Sequence, residues 1–469
     1  MACEIEDDKG SSALKVLHVS FTFAPDPVGG TEVYVESLAK LLRPHGIESI
    51  IAAPSAKGIN EVYEQNGLSV RRYRSALESP HMLRELYGAG DPDAAFAFAR
   101  ILDEETPDIV HLHAFTRAVS ILLVRAAKER GILTFFTYHT PTASCQRGTL
   151  ILQGKEICDG VLDVHRCTDC SLANQGLSRS VSKPLSYVPP LIARILERAN
   201  LSGGLWTALR MADLVRGSAN AFHMLVSEVD GIIALREWVR TLLIHNGAPE
   251  TKITLSPHGL AGNETKPPPL TDPDAVPLRV AFFGRADRVK GIDTLIKAVR
   301  GAPKLSVELD LYGITQNRGD EAYRIELKAM AGQDTRIRFL PPVPHESVVA
   351  LLASYHLLAV PSRWMETGPL VVLEAFAAGT PVLGSNLGGI AEWITHEKNG
   401  LLIHFEDVLG WTNAFRRCAE DRQLLRRLRS GVRRPRSMEA VARDMAQLYR
   451  KQVNKQAKER RTAIQMRRD

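Results

Sequence analysis

Short β-rich apolar runs alternate with helical stretches along almost the whole chain, and a proline-rich break divides the alternation into two blocks. A strand–helix–strand rhythm of this kind folds as parallel βαβ units, because only a crossover helix returns the chain to lay a second strand parallel to the first. The first block opens with the run Leu14 to Phe21, passes a loop containing Pro25, Pro27, Gly29 and Gly30, and enters a helix expected over Thr31 to Leu42. A strand over Ser49 to Ala53 completes one unit, and further strands are expected at Ile109 to Leu112 and Leu133 to Tyr138. His111, His113 and His139 then fall at or near carboxyl ends of strands, the edge at which open α/β sheets bind ligands. The second block follows Pro267 to Pro277, with strands expected at Leu278 to Phe283 and Glu308 to Tyr312 and a helix between them near Ile292 to Val299.

At 469 residues the chain exceeds what one core usually supports, so two domains are expected. A composition of 45% hydrophobic and 24% charged residues is that of a soluble globular protein. No apolar run approaches the roughly 18 residues that span a bilayer, and the acidic start Met1 to Ser12 lacks the layout of a signal peptide, so a cytoplasmic location is expected. The net charge of +6 is concentrated in residues 421–469, which hold 16 Lys/Arg against 5 Asp/Glu. Such a tail is either a solvated face or a peripheral contact with anionic membrane; nucleic acid is not an expected partner.

The chemistry gathers in the second block. Glu366 and Glu374 flank Thr367-Gly368-Pro369-Leu370, a glycine turn that opens a helix. A helix start offers unpaired N–H groups and a positive dipole end to a diphosphate, whereas a carboxylate suits sugar hydroxyls better than phosphate. Arg285 and Lys290 flank a strand-to-helix loop of the same block, where two cations can neutralise a diphosphate, Arg as a fork and Lys as a point charge. Two acids and two cations so placed point to a nucleotide-sugar.

These residues resemble the retaining glycosyltransferases of the GT-B fold, family 4, in which two Rossmann-like doubly wound α/β domains face each other across a cleft. The carriers are Gly29-Gly30, Gly284-Arg285 with Lys290-Gly291, the run Pro361-Ser362 through Glu366 to Glu374, and Gly379-Thr380-Pro381-Val382 with Gly388-Gly389. The resemblance implies an acceptor-side domain over 14–265, a linker over 266–277, a donor-binding domain over 278–425 and a basic helical tail over 426–469. It also implies that the last helix crosses back to the first domain, through Val441, Met445, Leu448 and Tyr449. By the same resemblance Arg285 and Lys290 grip a donor diphosphate of UDP or GDP type, and the N–H groups after Gly368, with Pro369 and Leu370, complete the cradle. Glu366 meets the donor sugar, Glu374 holds the ribose, and Gly29 and Gly30 approach from across the cleft. No catalytic metal is expected, and the acceptor is a saccharide, a lipid-linked saccharide or another hydroxyl compound. The chain departs from the family where Thr140 follows His139 in place of an aspartate, where His258 replaces an asparagine, and where Arg236 stands at a frequent serine. His139 is thereby left to position the donor or stabilise the transition state. A nucleotide-sugar epimerase of the same fold and a non-catalytic sugar-binding or assembly protein are the alternatives.

A segment over 140–205 adds Cys145, Cys158, Cys167 and Cys170 within 26 residues, the last two as Cys-Thr-Asp-Cys. In a reducing compartment the spacing leaves three readings: a structural zinc site, an iron–sulfur or other metal site, and redox-active or buried thiols, with zinc the first. Some relatives of the family carry a similar Cys-x-Arg-Gly-Thr stretch, here Cys145 to Thr149. Lys183 to Leu201 reads as an amphipathic helix starting near Pro189-Pro190, either packed on the first domain or lying on a membrane beside a lipid-linked acceptor.

Overall fold

The computed structural model describes residues 13–26, 29–76, 83–201, 203–262, 271–272, 274–316 and 318–466. Met1 to Ser12 with Cys3, Pro27 of the first loop, and 267–270 and 273 of the proline-rich break lie outside the described residues.

Sixteen strands are described. They are β1 (Leu14–Val19), β2 (Ile47–Ser55), β3 (Glu61–Gln65), β4 (Leu68–Arg74), β5 (Ile109–Leu112), β6 (Leu133–Thr137), β7 (Ile151–Leu152), β8 (Glu156–Ile157), β9 (Gly231–Ala234) and β10 (Ile253–Leu255) in the first half. In the second half they are β11 (Leu278–Arg285), β12 (Val307–Ile314), β13 (Ile337–Leu340), β14 (Leu357–Val360), β15 (Val382–Ser385) and β16 (Gly400–Ile403). Eight of the first ten form one sheet in the order β10-β9-β6-β5-β1-β2-β4-β3, parallel except where β3 runs against β4. The last six form a parallel sheet in the order β13-β12-β11-β14-β15-β16. Strands β5, β6, β9, β14 and β15 are buried at every residue, and of these β5 and β6 were expected from the sequence. Edge strand β3 alternates exposed and half-buried residues, and the sequence reading passed over it together with β4.

In each sheet the strand order reverses once, between β1 and β5 in the first and between β11 and β14 in the second. Loops leaving two such strands part to opposite faces and open a crevice at the carboxyl edge. Helices cover both faces of each sheet. The first sheet packs Phe98, Phe136 and Phe222 on one side and Tyr34, Leu38 and Leu42 on the other. The second packs Leu295, Trp411 and Phe415 on one side and Leu352, Val372 and Ile390 on the other.

The boundary expected at 425 falls inside the helix Arg422–Gly431, whose Leu424, Leu425 and Leu428 belong to the second core. Apolar spacing continues across 425, so packing carries the second half past it. The final helix, Met438–Gln465, does cross back: Met438, Val441, Met445 and Tyr449 are buried against the first sheet. At its start Leu260 N–H donates to Arg436 O at 2.9 Å and Met438 N–H donates to Leu260 O at 3.0 Å, which fastens the two chain crossings side by side.

The cysteine-bearing segment over 140–205 lies between β6 and β9. It contains the small ribbon β7–β8 and the helices Val164–Asn174, Arg179–Leu185 and Pro190–Arg198, and the long helix Gly204–Glu228 follows it. Among the described residues no helix is long and apolar enough to cross a membrane.

Candidate active site in the cleft

The loops that leave β11 and β14 meet at the second sheet's point of reversal. Asp287 Oδ1 accepts from Val289 N–H at 3.0 Å and shapes a turn that ends at Gly291 in the left-handed region (φ +68°). A Cβ on Gly291 would lie 2.1 Å from Pro361 O, so glycine is what lets the two loops touch. Arg363 N–H donates to Val289 O at 2.7 Å and closes the contact.

That junction brings Lys290 and Glu366 together, Nζ to Oε1 at 2.9 Å, with the Ser362 hydroxyl donating to the same oxygen. Both partners are largely buried, and a carboxylate so placed is stable only while it stays paired. Among the described residues Oε2 of Glu366 takes no hydrogen bond, so one face of the carboxylate remains open. Glu366 O accepts from Gly389 N–H at 2.6 Å, which gives the Gly388-Gly389 pair a packing role beneath the loop. The Leu370–Ala377 helix begins after Pro369 and carries buried Glu374, whose Oε1 lies 3.0 Å from Nδ1 of His345. The hydrogen bond to Glu374 raises the pKa of His345 above its ordinary value. Arg285 is half-exposed and paired with Asp287, beside the Lys290–Glu366 pair in sequence but outside its hydrogen bonds.

The first half meets this loop directly. The Thr367 hydroxyl donates to His139 O at 2.5 Å, Arg236 Nε donates to Thr367 O at 3.2 Å, and Met365 N–H donates to Thr149 O at 2.9 Å. Glu392 of the second half accepts from the N–H groups of Glu237 and Trp238 at 3.1 and 2.9 Å, capping a first-half helix at its positive end. Gly30 faces Leu370, from which an added Cβ would stand 3.8 Å, while Gly29 N–H donates to Glu32 Oε2 at 2.8 Å. The glycine loop therefore lies over the start of the Leu370 helix. Gly368 is the tightest point: with φ at +152°, an added Cβ would sit 2.9 Å from His258 Nδ1 and 3.3 Å from Arg236 Nη2. Those two atoms, together with Nε1 of Trp364, are buried and have no hydrogen-bond partner. Buried polar atoms are nearly always satisfied, so three orphans around one loop mark a place for a polar ligand or water.

Behind His139 stands a histidine cluster. His18 and His111 sit on adjacent strands in register, and His113 follows β5. His18 Nδ1 and His113 Nε2 are 3.1 Å apart, as are His113 Nδ1 and His139 Nε2, while His111 contacts the Tyr449 hydroxyl at 2.5 Å and Thr137 Oγ1 at 2.7 Å. Tyr34 packs on His139 and His258 with ring centroids 5.0 and 5.3 Å away. Burial lowers the pKa of every one of these imidazoles and keeps them neutral; for His18 and His139 the value is about 3. Arg236 is also buried, which lowers its pKa to about 10, and it stays charged with its guanidinium 3.5 Å above the Trp393 ring.

The four cysteines of the segment over 140–205 come together. Cys145, Cys158, Cys167 and Cys170 line one small cavity of about 40 Å³, with Arg166 and Leu150 among its walls. Cys170 Sγ accepts from Gln153 N–H at 3.2 Å and Cys158 Sγ from Gly160 N–H at 3.5 Å. Burial pushes the Cys167 thiol up to about 11. Among the described residues, the group of ligand atoms all within 4.8 Å of one another is His18, His111 and His113, so the cysteine sulfurs surround their cavity more loosely than metal ligands do.

Two parallel α/β units that meet at their points of strand reversal form the GT-B arrangement. The Glycosyl transferase 4-like domain model matches residues 29–259, and the Glycosyl transferases group 1 model matches residues 273–434. The chain belongs to this glycosyl transferase family. Among its curated relatives, the D-inositol 3-phosphate glycosyltransferase of Nocardia farcinica is 35% identical over 155 residues, 32% of this chain and 34% of the relative. That of Salinispora tropica is 33% identical over 181 residues, 36% of this chain and 37% of the relative. The chain thus matches only about a third of the length of these relatives. Over nearly the whole chain the fold is that of solved structures of low identity. Anabaena HepE in complex with UDP has a TM-score of 0.62 at 17% identity, covering 93% of this chain and 99% of HepE. Sucrose-phosphate synthase from Thermosynechococcus elongatus has a TM-score of 0.63 at 19% identity, covering 93% and 98%.

Three of the site residues had no usable signal in the sequence. Glu32, Tyr34 and His18 join the site only through tertiary approach, whereas Ser362 and Trp364, just before Glu366, lay inside a recognisable run.

Proposed function

We propose that the protein is a retaining glycosyltransferase that moves a sugar from a nucleoside diphosphate to a hydroxyl acceptor. The observation that carries the reading is the Lys290–Glu366–Ser362 cluster at the start of the Leu370 helix, ringed by the unpartnered atoms of His258, Arg236 and Trp364. Lys290, Arg285 and the N–H groups of Gly368 and Leu370 take the diphosphate; Arg285 swings from Asp287 to do so. Pro369, which has no N–H, fixes the turn between them. The open Oε2 of Glu366 accepts from a hydroxyl of the donor sugar, and Glu374 accepts from the ribose. Gly29 and Gly30 cover the phosphates from the other wall. His139, neutral at physiological pH, donates a hydrogen bond at the reacting sugar. In the transfer the acceptor oxygen bonds to the anomeric carbon as the bond to the diphosphate oxygen breaks. The nucleoside diphosphate leaves with that electron pair, and the hydroxyl proton passes to the departing phosphate oxygen or to solvent. Stabilising the departing diphosphate with fixed cations and N–H groups is the larger part of the catalysis. Calorimetry with UDP-, GDP- and ADP-sugars on wild type and Lys290→Ala tests the reading: selective binding lost in the variant is expected, and equal binding by both proteins would refute the site. Names of the curated relatives make D-inositol 3-phosphate one acceptor to screen beside saccharides and lipid-linked saccharides.

The shared lining of one cavity by Cys145, Cys158, Cys167 and Cys170 supports a structural zinc site whose loosely spaced sulfurs would draw together on the ion. Backbone N–H groups aimed at two of the sulfurs favour thiolates, and four thiolates would fill a tetrahedral shell around a purely structural ion. Because the Cys167 thiol is held high by burial, the metal must displace a proton, and affinity falls as pH drops. Metal analysis and melting in the presence of a chelator check this: Cys167→Ser with Cys170→Ser is expected to lose the metal and several degrees of stability. An unchanged melt in a metal-free wild type would remove the zinc.

The Pro190–Arg198 helix supports peripheral membrane contact. It buries Ala193 and Leu196 against its neighbour and leaves Leu191, Ile192 and Ile195 exposed, close in sequence to exposed Tyr187, Leu205 and Trp206. Exposed Arg179, Lys183, Arg194 and Arg198 accompany them, and apolar anchors ringed by cations suit an anionic surface. Co-sedimentation with vesicles containing phosphatidylglycerol, lost in Leu191→Asp with Ile195→Asp, is the expected result; wild type left in the supernatant would sink it.

A further inference from the structure

His18, His113 and His139 stand in a line of two hydrogen bonds that ends at the cleft. Each ring is buried and neutral, and a neutral imidazole carries a single N–H. His113 uses both ring nitrogens in the line, one as donor and one as acceptor, so the two bonds share a polarity. Protons directed outward place N–H on Nδ1 of His18, on Nδ1 of His113 and on Nδ1 of His139. Protons directed inward make Nδ1 of His18 an acceptor and force its proton onto Nε2. That Nε2 is buried and has no partner. Stranding an N–H there costs about 1–3 kcal/mol of lost hydration, and buried orphan donors are rarer than orphan acceptors.

We propose that His18 and His113 fix the tautomer of His139, so that His139 offers an Nδ1–H donor to the cleft and holds no lone pair there with which to act as a base. Nδ1 is the His139 ring nitrogen that makes no hydrogen bond among the described residues, and the Thr367 hydroxyl anchors the residue's backbone from the opposite half. His113 and His18 are positioning residues, acting through His139. The assignment of the donated bond to a sugar hydroxyl or phosphate oxygen rests on the transferase reading; the tautomer does not.

Long-range nitrogen-15 correlation NMR of histidine-labelled, full-length protein reads the tautomer directly, with His139→Gln assigning the signal. In wild type, Nε2 of His139 is expected to be unprotonated and Nδ1 protonated. His113→Asn keeps an amide N–H where Nδ1 stood and is expected to preserve both the tautomer and most of the transfer rate. His113→Leu removes the donor and is expected to mix the two tautomers and lower kcat about tenfold with KM for the donor unchanged, less than the loss for deleting a transition-state donor outright. A protonated Nε2 in wild type, or one tautomer shared by His113→Asn and His113→Leu, would overturn the proposal. So would a stoichiometric metal retained by wild type and released by His18→Gln, since His18, His111 and His113 are close enough to share an ion. If no donor sugar is turned over but the tautomer pattern holds, the transferase reading fails and the positioning of His139 stands. If transfer is real and the pattern is absent, this proposal fails alone.

Discussion

The two walls of the cleft solve burial in opposite ways. On the second-half wall the titratable groups stand in pairs of opposite kind, Lys290 with Glu366 and His345 with Glu374. On the first-half wall His18, His111, His113, His139 and His258 are buried in a cluster with Tyr34 and kept neutral by loss of water. Arg236 is the exception, a first-half cation that stays charged by stacking on Trp393 and reaching Thr367. The contrast teaches that charge and shape are supplied from different sides. Fixed charge on one wall suits a polyanion that must be held, and a neutral hydrogen-bonding wall suits a sugar that must be oriented as the walls close.

The strongest way to break this division is Glu366→Gln, which keeps the shape and removes the charge. Transfer is expected to fall by about a hundredfold or more, and the melting temperature to drop as well, because Lys290 is left largely buried without its counter-charge. Tyr34→Phe, on the neutral wall, is the control; an equal loss there would erase the distinction. Gly368→Ala tests the seam between the walls. The added methyl meets His258 and Arg236, and overpacking of this kind costs about 1–3 kcal/mol, read as a lower melting temperature together with weaker donor binding. The smallest effect belongs to pH. Because the folded pKa of His345 lies above its unfolded value, its pairing with Glu374 stabilises the fold below the unfolded pKa, and that contribution is lost as pH rises through the folded pKa. On the proposed donor site Glu374 would be released for the ribose over the same rise, so donor affinity is expected to improve a few-fold, as measured by calorimetry. The trend should vanish in His345→Gln; persistence there would separate Glu374 from the donor.

Much of the architecture was legible because its strands are buried on both faces. The run Ile109–Leu112 coincides with β5, and Leu133 to Tyr138 overshoots β6 by one residue. Strand β3 escaped notice with β4 because it lies at a sheet edge and its exposed faces dilute the apolar pattern, and β9, β14 and β15 escaped because a buried run of four residues has no periodicity to tell strand from helix. The acid–cation theme was legible as well, since Lys290 and Glu366 each lie in a loop after a strand beside the sheet's reversal. What adjoins Gly368 was not. Arg236 and His258 read as departures from the family pattern, and their meaning lies in a contact made more than a hundred residues further along the chain. The line through His18 was hidden for a related reason: a histidine inside an apolar run gives no hint of which strand-end ring it will face.

The course of the chain has a consequence for the order in which the molecule is made. Between Leu260 and Ser437, which bridge side by side, lies the entire second sheet, so that unit is in effect inserted into the first. The core around Tyr34, Leu38 and Leu42 is completed only when Met445 and Tyr449 arrive with the final helix. On the ribosome the half that begins synthesis first would be the last to close, and the inserted half would fold while its host waits open. Protease treatment of nascent chains arrested near residue 437 should find the second sheet protected and the first one not; early protection of the first sheet would contradict that order.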